Sequence, residues 1–173
     1  MNEIIWRFIA KQLALPAVAD WIIRRAQRTP YDHLTICAGS IRRVHGHYRL
    51  SSLEPNERWY MRRWWLLRLG PLRIRVHHIL AADAGRDMHD HPWPFRTFVL
   101  RGSYLEQRRP GNHVHTSRRH AGQTYRMDRG QFHRIDRVSH GGAWTMFVTW
   151  GDSKGWGFKR ADGQVIPHQE YQS

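Results

Sequence analysis

Two hydrophobic spacings divide the chain. Up to about residue 30, apolar residues recur at intervals of three and four, as a helix with one buried face requires: Ile4, Ile5, Phe8, Ile9 and Leu13, then Val18, Trp21 and Ile22. We predict a helix over residues 3–27 that Pro16 kinks or splits and that Thr29-Pro30 ends. Such a segment serves either as an amphipathic anchor on a membrane surface or as an arm packed on the domain or on a partner subunit, and we favour the packed arm.

From Tyr31 onward the spacing becomes two, which is typical of strands. The segment 58–69 alternates clearly, although Arg63 interrupts its apolar positions. The next predicted interior face consists of Leu72, Ile74, Val76, His78 and Leu80. The predicted strands, separated by glycine and proline turns, are 33–37, 40–50, 58–69, 72–80, 95–101, 104–108, 133–138 and 144–150. This pattern predicts an all-β sandwich or barrel, with residues 1–30 as a helical arm and residues 31–173 as the β domain.

The composition narrows the class of protein. With 40% hydrophobic and 24% charged residues, the chain is globular rather than disordered. No apolar run approaches the ~20 residues that a membrane-spanning helix needs, so we expect no membrane span. The single cysteine, Cys37, excludes an intramolecular disulfide and a cysteine-rich zinc site, and we expect a reducing, cytoplasmic location.

The net charge of +14 favours anionic partners, or it reflects a solvated arginine-rich surface. Both interpretations stay open because the arginines are spread along the chain. The stretch from Arg58 to Arg68 interleaves Arg with Trp and Tyr, a pattern that can stack bases and neutralise phosphates. The alternative, which we favour, is an amphipathic strand whose Trp side chains fill the core and whose Arg side chains face water.

Histidine is unusually frequent, at 13 of 173 residues, and it occurs in three His-x-His pairs. Two pairs lie in segments that we expect to be exposed: His45/His47 and His113/His115. The third pair, His89/His91, precedes a strand, where positions i and i+2 point to the same side and two imidazoles can bind one metal ion. His133 follows a glycine turn at the start of another strand and is the candidate third ligand.

These residues resemble the two sequence motifs of the cupin family. The first motif, G-x5-H-x-H-x(3,4)-E-x6-G, is matched by His89, His91 and Gly102, with Phe95 where Glu is usual. Its initial glycine is displaced, since Asp83 stands at that position.

The second motif, G-x5-P-x-G-x2-H-x3-N, is matched by Gly122, Gly130 and His133. Asp128 replaces its proline and Arg137 replaces its asparagine. The resemblance lies within about residues 74–150 and implies a cupin-type jelly-roll β-barrel or sandwich.

Because the glutamate of the first motif is missing, the chain resembles three-histidine cupins such as the cysteine dioxygenases. That resemblance implies one divalent transition metal held by His89, His91 and His133. Fe(II) is the first expectation, with Zn, Mn and Ni as alternatives, since each accepts imidazole. Glu106, on the next strand, is the catalytic candidate, as a carboxylate that swings in as a ligand or acts as a general base. The alternative for Glu106 is an exposed strand residue paired with an arginine.

A cupin cavity implies a substrate pocket. We expect aromatic residues to line or cover it and arginines to make it positive: Trp93, Tyr104 and Trp144, with Arg96 or Arg101. The leading hypothesis is a non-haem Fe(II) oxygenase acting on a small anionic molecule. The alternatives are a metal-dependent isomerase or hydrolase, and a non-catalytic module that binds nucleic acid or a protein partner through its basic surface. A homodimer is also expected, as is common in this family.

Overall fold

The structure is a computed structural model that describes residues 2–31, 33–37, 40–44, 59–83, 85, 87–109 and 113–171. The His45/His47 pair and the second half of the predicted strand 40–50 lie outside these residues.

The N-terminal arm consists of two helices, α1 (Glu3–Leu13) and α2 (Pro16–Gln27). The Asn2 side chain caps α1 by accepting a hydrogen bond from the Ile4 backbone N–H at 3.1 Å. Pro16 opens α2, where a missing N–H breaks no helical hydrogen bond, so the predicted split at this residue is confirmed. Neither described helix has the length and apolar character needed to cross a membrane.

The rest of the described chain is mostly β-strand. In chain order the strands are β1 (His33–Cys37), β2 (Ser40–Val44), β3 (Trp59–Leu69), β4 (Leu72–Ile79), β5 (Met88–His89), β6 (Phe95–Arg101), β7 (Ser103–Arg108), β8 (His115–His120), β9 (Thr124–Met127), β10 (His133–Val138), β11 (Ala143–Thr149), β12 (Gly157–Lys159) and β13 (Val165–Pro167). They form a seven-stranded sheet A, in the order β2-β1-β3-β4-β11-β6-β9, and a six-stranded sheet B, in the order β13-β12-β5-β10-β7-β8. The predicted all-β fold class is confirmed as a cupin-like antiparallel sandwich with helices at its N-terminus.

The two sheets enclose part of the core between them. Met61, Ile79 and Val99 of sheet A share a buried cluster with Tyr104 and Ile135 of sheet B. We call the side of sheet A that faces sheet B its inner face. A cavity lies between the sheets, so the inner face determines what the cavity contains.

The helical arm covers the opposite, outer face of sheet A. Ile22 and Ile23 of α2 form a buried cluster with Val76 of β4 and Leu100 of β6. The Thr29 hydroxyl, just beyond α2, lies 2.6 Å from the carbonyl oxygen of Trp65 on β3. Sheet A is therefore packed on both faces, and apolar residues occupy both parities of its strands.

The interior face predicted for β4 is wrong because sheet A is packed on both faces, so that its apolar residues do not mark the cavity side. Val76 packs under α2, and His78 stacks on Trp144 with ring centroids 4.0 Å apart. The odd positions Arg75, His77 and Ile79 line the cavity instead. The polar residues Arg75 and His77 thus face the interior, whereas the apolar Val76 faces the helices.

The glycine that ends the first motif is required by close packing. Gly102 has φ +74°, in the left-handed region, and a Cβ at this position would lie 2.3 Å from the carbonyl oxygen of Gly142. The turn between β6 and β7 therefore depends on glycine at position 102.

Candidate metal centre

The three motif histidines lie on neighbouring segments of sheet B. His89 ends the two-residue strand β5 and pairs in register with His133, the first residue of β10. His91 follows Asp90, whose buried carboxylate accepts a hydrogen bond from the Gly157 backbone N–H at 2.8 Å. This bond holds the His89–His91 segment against β12. The rings of His89 and His91 lie beside His133 of β10, with centroids 4.8 and 5.0 Å from its ring.

The three imidazoles converge. One nitrogen from each of His89, His91 and His133 lies within 4.8 Å of the others, and the Nε2 atoms of His91 and His133 are 2.8 Å apart. Two metal–nitrogen bonds of about 2.1 Å at a right angle would place their nitrogens about 3 Å apart. The described residues therefore fit a divalent metal ion held by imidazole ligands.

Electrostatics favours the uncharged form of the His89/His91 pair. Burial lowers the pKa of His89 to about 4, although the nearby Asp83 opposes this shift. Burial, followed by the proximity of His133 and His89, holds the pKa of His91 well below its usual range. Both rings are neutral near pH 7, which leaves nitrogen lone pairs available for a metal.

Glu106 lies behind His133. Its carboxylate is fully buried, and Oε1 is 2.8 Å from His133 Nδ1. Arg108 Nε and Arg119 Nε donate to Oε2 at 3.0 and 2.8 Å. Burial alone would raise the pKa of Glu106, but the hydrogen bond from His133, followed by the positive charges of Arg108 and Arg119, lowers it to about 2.

The contacts of Glu106 bear on the orientation of His133. A carboxylate at Nδ1 favours the tautomer with the proton on that nitrogen, which directs the Nε2 lone pair at the other histidines. Both carboxylate oxygens are hydrogen-bonded to neighbouring side chains. The catalytic role expected for Glu106, as a ligand or a general base, stays a prediction. The alternative of an exposed residue is wrong because Glu106 is fully buried, although the expected pairing with arginine is present.

Asp83, which stands where the first motif usually has glycine, lies behind His89. Asp83 Oδ2 is 3.7 Å from His89 Nδ1 and accepts a hydrogen bond from the Ile135 backbone N–H at 2.7 Å. The Tyr60 hydroxyl donates to Oδ1. Asp83 thus ties the histidine centre to β3 and β10, a role that its position in the motif did not reveal.

The histidines open onto a cavity of about 70 Å³ between the sheets. Trp93 and Tyr104 line it, as the sequence analysis expected. Phe95, at the usual Glu position of the motif, packs edge-on against His91 with ring centroids 4.8 Å apart and lies against Phe147 at 4.4 Å. An aromatic wall therefore replaces a carboxylate ligand at this position.

Three expected pocket residues lie elsewhere. Arg96 is buried on the outer face and forms an ion pair with Glu3 of α1 at 2.6 Å. Arg101 pairs with Asp20 of α2, and Trp144 stacks on Trp64 and packs against the helix-covered cluster. Placing Arg96, Arg101 and Trp144 in the pocket is corrected here. The parity of β6 and β11 directs Arg96 and Trp144 toward the helical arm, and a register shift at the end of β6 brings Arg101 to the same side.

Other cavity residues were missed. Arg63 of β3 and Arg75 and His77 of β4 line the cavity. The interruption of the apolar alternation at Arg63 was the available signal, since a charged residue at an interior position is rare unless a polar cavity lies beside it. For Arg75 and His77, the sequence offered no signal beyond a parity that was assigned to the wrong face.

No protein-family model and no curated protein matches the chain. Among solved structures, the chain is similar to one described as the DMSP lyases RdDddP and RnDddQII, with 18% identity over 54% of this chain and 48% of that chain and a TM-score of 0.44. It is similar to hydroxypropylphosphonic acid epoxidase from S. wedmorenis, with 14% identity over 53% and 51% and a TM-score of 0.43. It is also similar to oxalate decarboxylase from Bacillus subtilis, with 17% identity over 52% and 24% and a TM-score of 0.42.

These neighbours are cupin-fold proteins. The chain spans about half the length of the first two, and less of the third. A likeness of this extent assigns no activity to the chain.

Proposed function

We propose that the protein is a metal-dependent oxygenase of the non-haem type that acts on a small anionic molecule. His89, His91 and His133 are its metal ligands, and Fe(II) is the preferred ion. The observation that carries the proposal is the convergence of three imidazole nitrogens within 4.8 Å at the wall of a cavity. A bound Fe(II) with three protein ligands would supply open coordination positions for a substrate and O2.

The surrounding side chains orient the metal ligands and shield them from water. Glu106 holds the proton on His133 Nδ1 and thereby fixes the direction of the Nε2 lone pair. Phe95 and Phe147 cover the His91 side of the cavity with apolar surface, which limits the access of water. The chain thus supplies the metal ligands, orients the His133 ring and gives the cavity an apolar side that limits the access of water.

Isomerase or hydrolytic chemistry at the same centre is the second candidate. It is favoured by cavity-lining groups able to carry protons, Tyr60 and His77. The two candidates differ in their need for oxygen. An oxygenase requires Fe(II) and O2, whereas Lewis-acid chemistry persists with Zn(II) under anaerobic conditions.

Binding of nucleic acid through the Arg/Trp stretch has less support. Arg63 lines the cavity, and Trp64 packs against the cluster under α2. These two members of the stretch lie inside the fold. Nucleic-acid binding and a homodimer both remain predictions.

Metal content tests the proposal first. Wild type, His133→Ala and the exposed control His115→Ala are purified without added metal and assayed by inductively coupled plasma mass spectrometry. We expect close to one ion per chain in wild type and in the control, and loss of that ion in His133→Ala. If all three proteins are empty and also refuse added Fe(II), Mn(II), Ni(II) and Zn(II), the metalloenzyme proposal is wrong.

Oxygen uptake then separates the two candidates. Fe(II)-loaded and Zn(II)-loaded proteins are screened with small organic acids in an oxygen electrode, and products are analysed with and without air. Uptake that depends on Fe(II) and on the acid supports the oxygenase. Turnover by the Zn(II) form without oxygen supports the isomerase or hydrolase instead.

A further inference from the structure

Two guanidinium groups lie in the wall of the cavity that holds the three histidines. Arg63 of β3 and Arg75 of β4 both line it. In the register of the two strands, Arg63 pairs with His77 and Trp65 pairs with Arg75. Arg63 and Arg75 are therefore diagonal neighbours on the inner face of sheet A, close enough for one compact ligand to reach both.

Neither of these guanidiniums has a carboxylate at ion-pair distance within the described part of the chain. Arg63 Nε lies 3.3 Å from the Met61 sulfur. Arg75 lies over the rings of Trp65 and Trp93, at 4.1 and 5.0 Å from their centroids. Asp83 attracts Arg63 only from beyond ion-pair distance and opposes the lowering of its pKa by burial. Partly buried cations without a paired carboxylate are costly, so two of them side by side favour binding of an anion.

The electrostatics of the wall agree with this geometry. Burial, followed by the like charges of Arg63, Arg73 and Arg68, lowers the pKa of Arg75 to about 9. Burial and the same two cavity arginines hold the pKa of His77 well below its usual range. Arg75 is still charged near pH 7, and an added negative charge would relieve the repulsion among these groups.

Two buried nitrogen atoms nearby have no hydrogen-bond partner among the described residues. They are Nε1 of Trp93 and Nε2 of His77, and both residues line the cavity. His77 is only 5% exposed. An indole N–H and a guanidinium can only donate hydrogen bonds, so this wall offers donors in excess and needs a ligand rich in acceptors.

We propose that Arg63 and Arg75, assisted by Trp93 Nε1 and His77, form an oxyanion subsite that binds the carboxylate or phosphonate group of a compact organic anion beside the three histidines. Calling this anion the substrate rests on the proposed function, whereas binding of the anion does not require a metal. The subsite replaces the role first expected of Arg96 and Arg101. The cavity volume of about 70 Å³ suits a small molecule of a few non-hydrogen atoms.

Binding of small probes tests the subsite directly. Acetate, methylphosphonate and the neutral control acetamide are titrated at constant ionic strength into metal-free protein and into Zn(II)-loaded protein. Binding is followed by two-dimensional ¹H–¹⁵N NMR, with the Trp93 indole resonance assigned from Trp93→Phe. We expect both anions to shift this resonance in a saturable way and acetamide to leave it in place.

Variants identify the residues responsible. Arg75→Gln is expected to weaken anion binding at least tenfold, and Arg75→Lys to weaken it less because the charge remains. Arg137→Gln removes the same charge from an exposed position on β10 and is expected to change affinity less than twofold. If Arg75→Gln does not fold, Arg75→Lys and the wild-type indole resonance still decide the question.

Several results would overturn the subsite. These are an unmoved Trp93 resonance, acetamide binding as tightly as acetate, or equal losses in Arg75→Gln and Arg137→Gln, which indicates nonspecific surface binding. A preference between acetate and methylphosphonate identifies the anion class. If the protein binds anions but no metal, the subsite is supported and the oxygenase proposal is wrong. If it binds metal but no anion, the subsite is wrong and the oxygenase proposal is unaffected.

Discussion

Sheet A has buried or partly buried arginines on both of its faces, and the two sets differ in whether a carboxylate pairs with them. On the outer face, Arg96 is 5% exposed, pairs with Glu3 at 2.6 Å and lies over the Trp6 ring at 4.7 Å. On the inner face, Arg63 and Arg75 line the cavity with no carboxylate at ion-pair distance among the described residues. Burial of a guanidinium therefore does not by itself indicate a binding site. An Arg whose counterion is supplied by the fold serves structure, and an Arg without one is available to a ligand.

The two glutamates that pair with arginines, Glu3 beside sheet A and Glu106 in sheet B, also differ in their burial. Glu3 is 60% exposed at its side chain and ties the helical arm to the sheet through Arg96. Glu106 is completely buried and ties His133 to Arg108 and Arg119. The outer face therefore holds an ion pair that water weakens, and sheet B holds a network whose central carboxylate is out of reach of water.

Replacing Glu106 by Gln is expected to have the largest effect. Breaking a buried ionic network at one partner costs about 3–5 kcal/mol of unfolding free energy. Loss of the carboxylate behind His133 should also weaken metal binding by about 10- to 100-fold. Urea unfolding of the metal-free protein and competition with a chelator measure the two effects.

Asp128→Asn is the matched control for Glu106→Gln. Asp128 and its partner Arg126 are both exposed, so this variant should lose no more than about 1 kcal/mol and keep its metal affinity. Unchanged metal affinity in Glu106→Gln would show that the carboxylate does not position His133.

Truncation of Leu100 tests whether the outer face acts separately from the cavity. Leu100 is 1% exposed in the cluster under α2, so Leu100→Ala should destabilise the protein by about 2–4 kcal/mol. Metal and anion affinities of the folded variant should stay within twofold of wild type. Leu69→Ala, at a 65% exposed position, should change stability little, and a loss of metal affinity in Leu100→Ala would break the separation of the two faces.

Arg96→Gln tests whether the outer-face arginine contributes to anion binding in the cavity. Removal of its charge-assisted hydrogen bonds to Glu3 should lower the free energy of unfolding less than Leu100→Ala does, because solvent screens the exposed Glu3. Acetate binding, measured by NMR as for Arg75→Gln, should be unaffected. The assignment of the two faces fails if Arg96→Gln weakens acetate binding as strongly as Arg75→Gln does.

The smallest expected effect concerns pH and the helical arm. The hydrogen bond from Arg96 lowers the pKa of Glu3 below its usual 4.5. The contribution of Glu3 to stability is therefore present above pH 4.5 and is lost as the pH falls through its lower value in the folded protein. Thermal unfolding of wild type and Glu3→Gln should show a small advantage for wild type at pH 6 that closes toward pH 3. An advantage that grows on acidification would contradict this sign.

Local patterns in the chain were enough to predict several parts of the fold. Spacings of three and four predicted the arm, Pro16 predicted its division, and alternation predicted β3, β4, β6 and β11. The second predicted strand was only partly testable. Strands β5 and β12 are too short for an alternating pattern to be seen, and β8 is polar along most of its length. These strands were missed for that reason.

Motif spacing is a property of the chain alone, and it was sufficient to group His89, His91 and His133. Packing between distant segments fixed which side of sheet A faces the cavity, since the helical arm buries the other side and removes the polar face on which a parity argument depends. It also decided the partners of the charged groups. Glu106 contacts His133, and Arg96 pairs with Glu3, whereas Arg63 and Arg75 have no carboxylate at ion-pair distance within the described chain. These differences arise from contacts between segments far apart in the sequence.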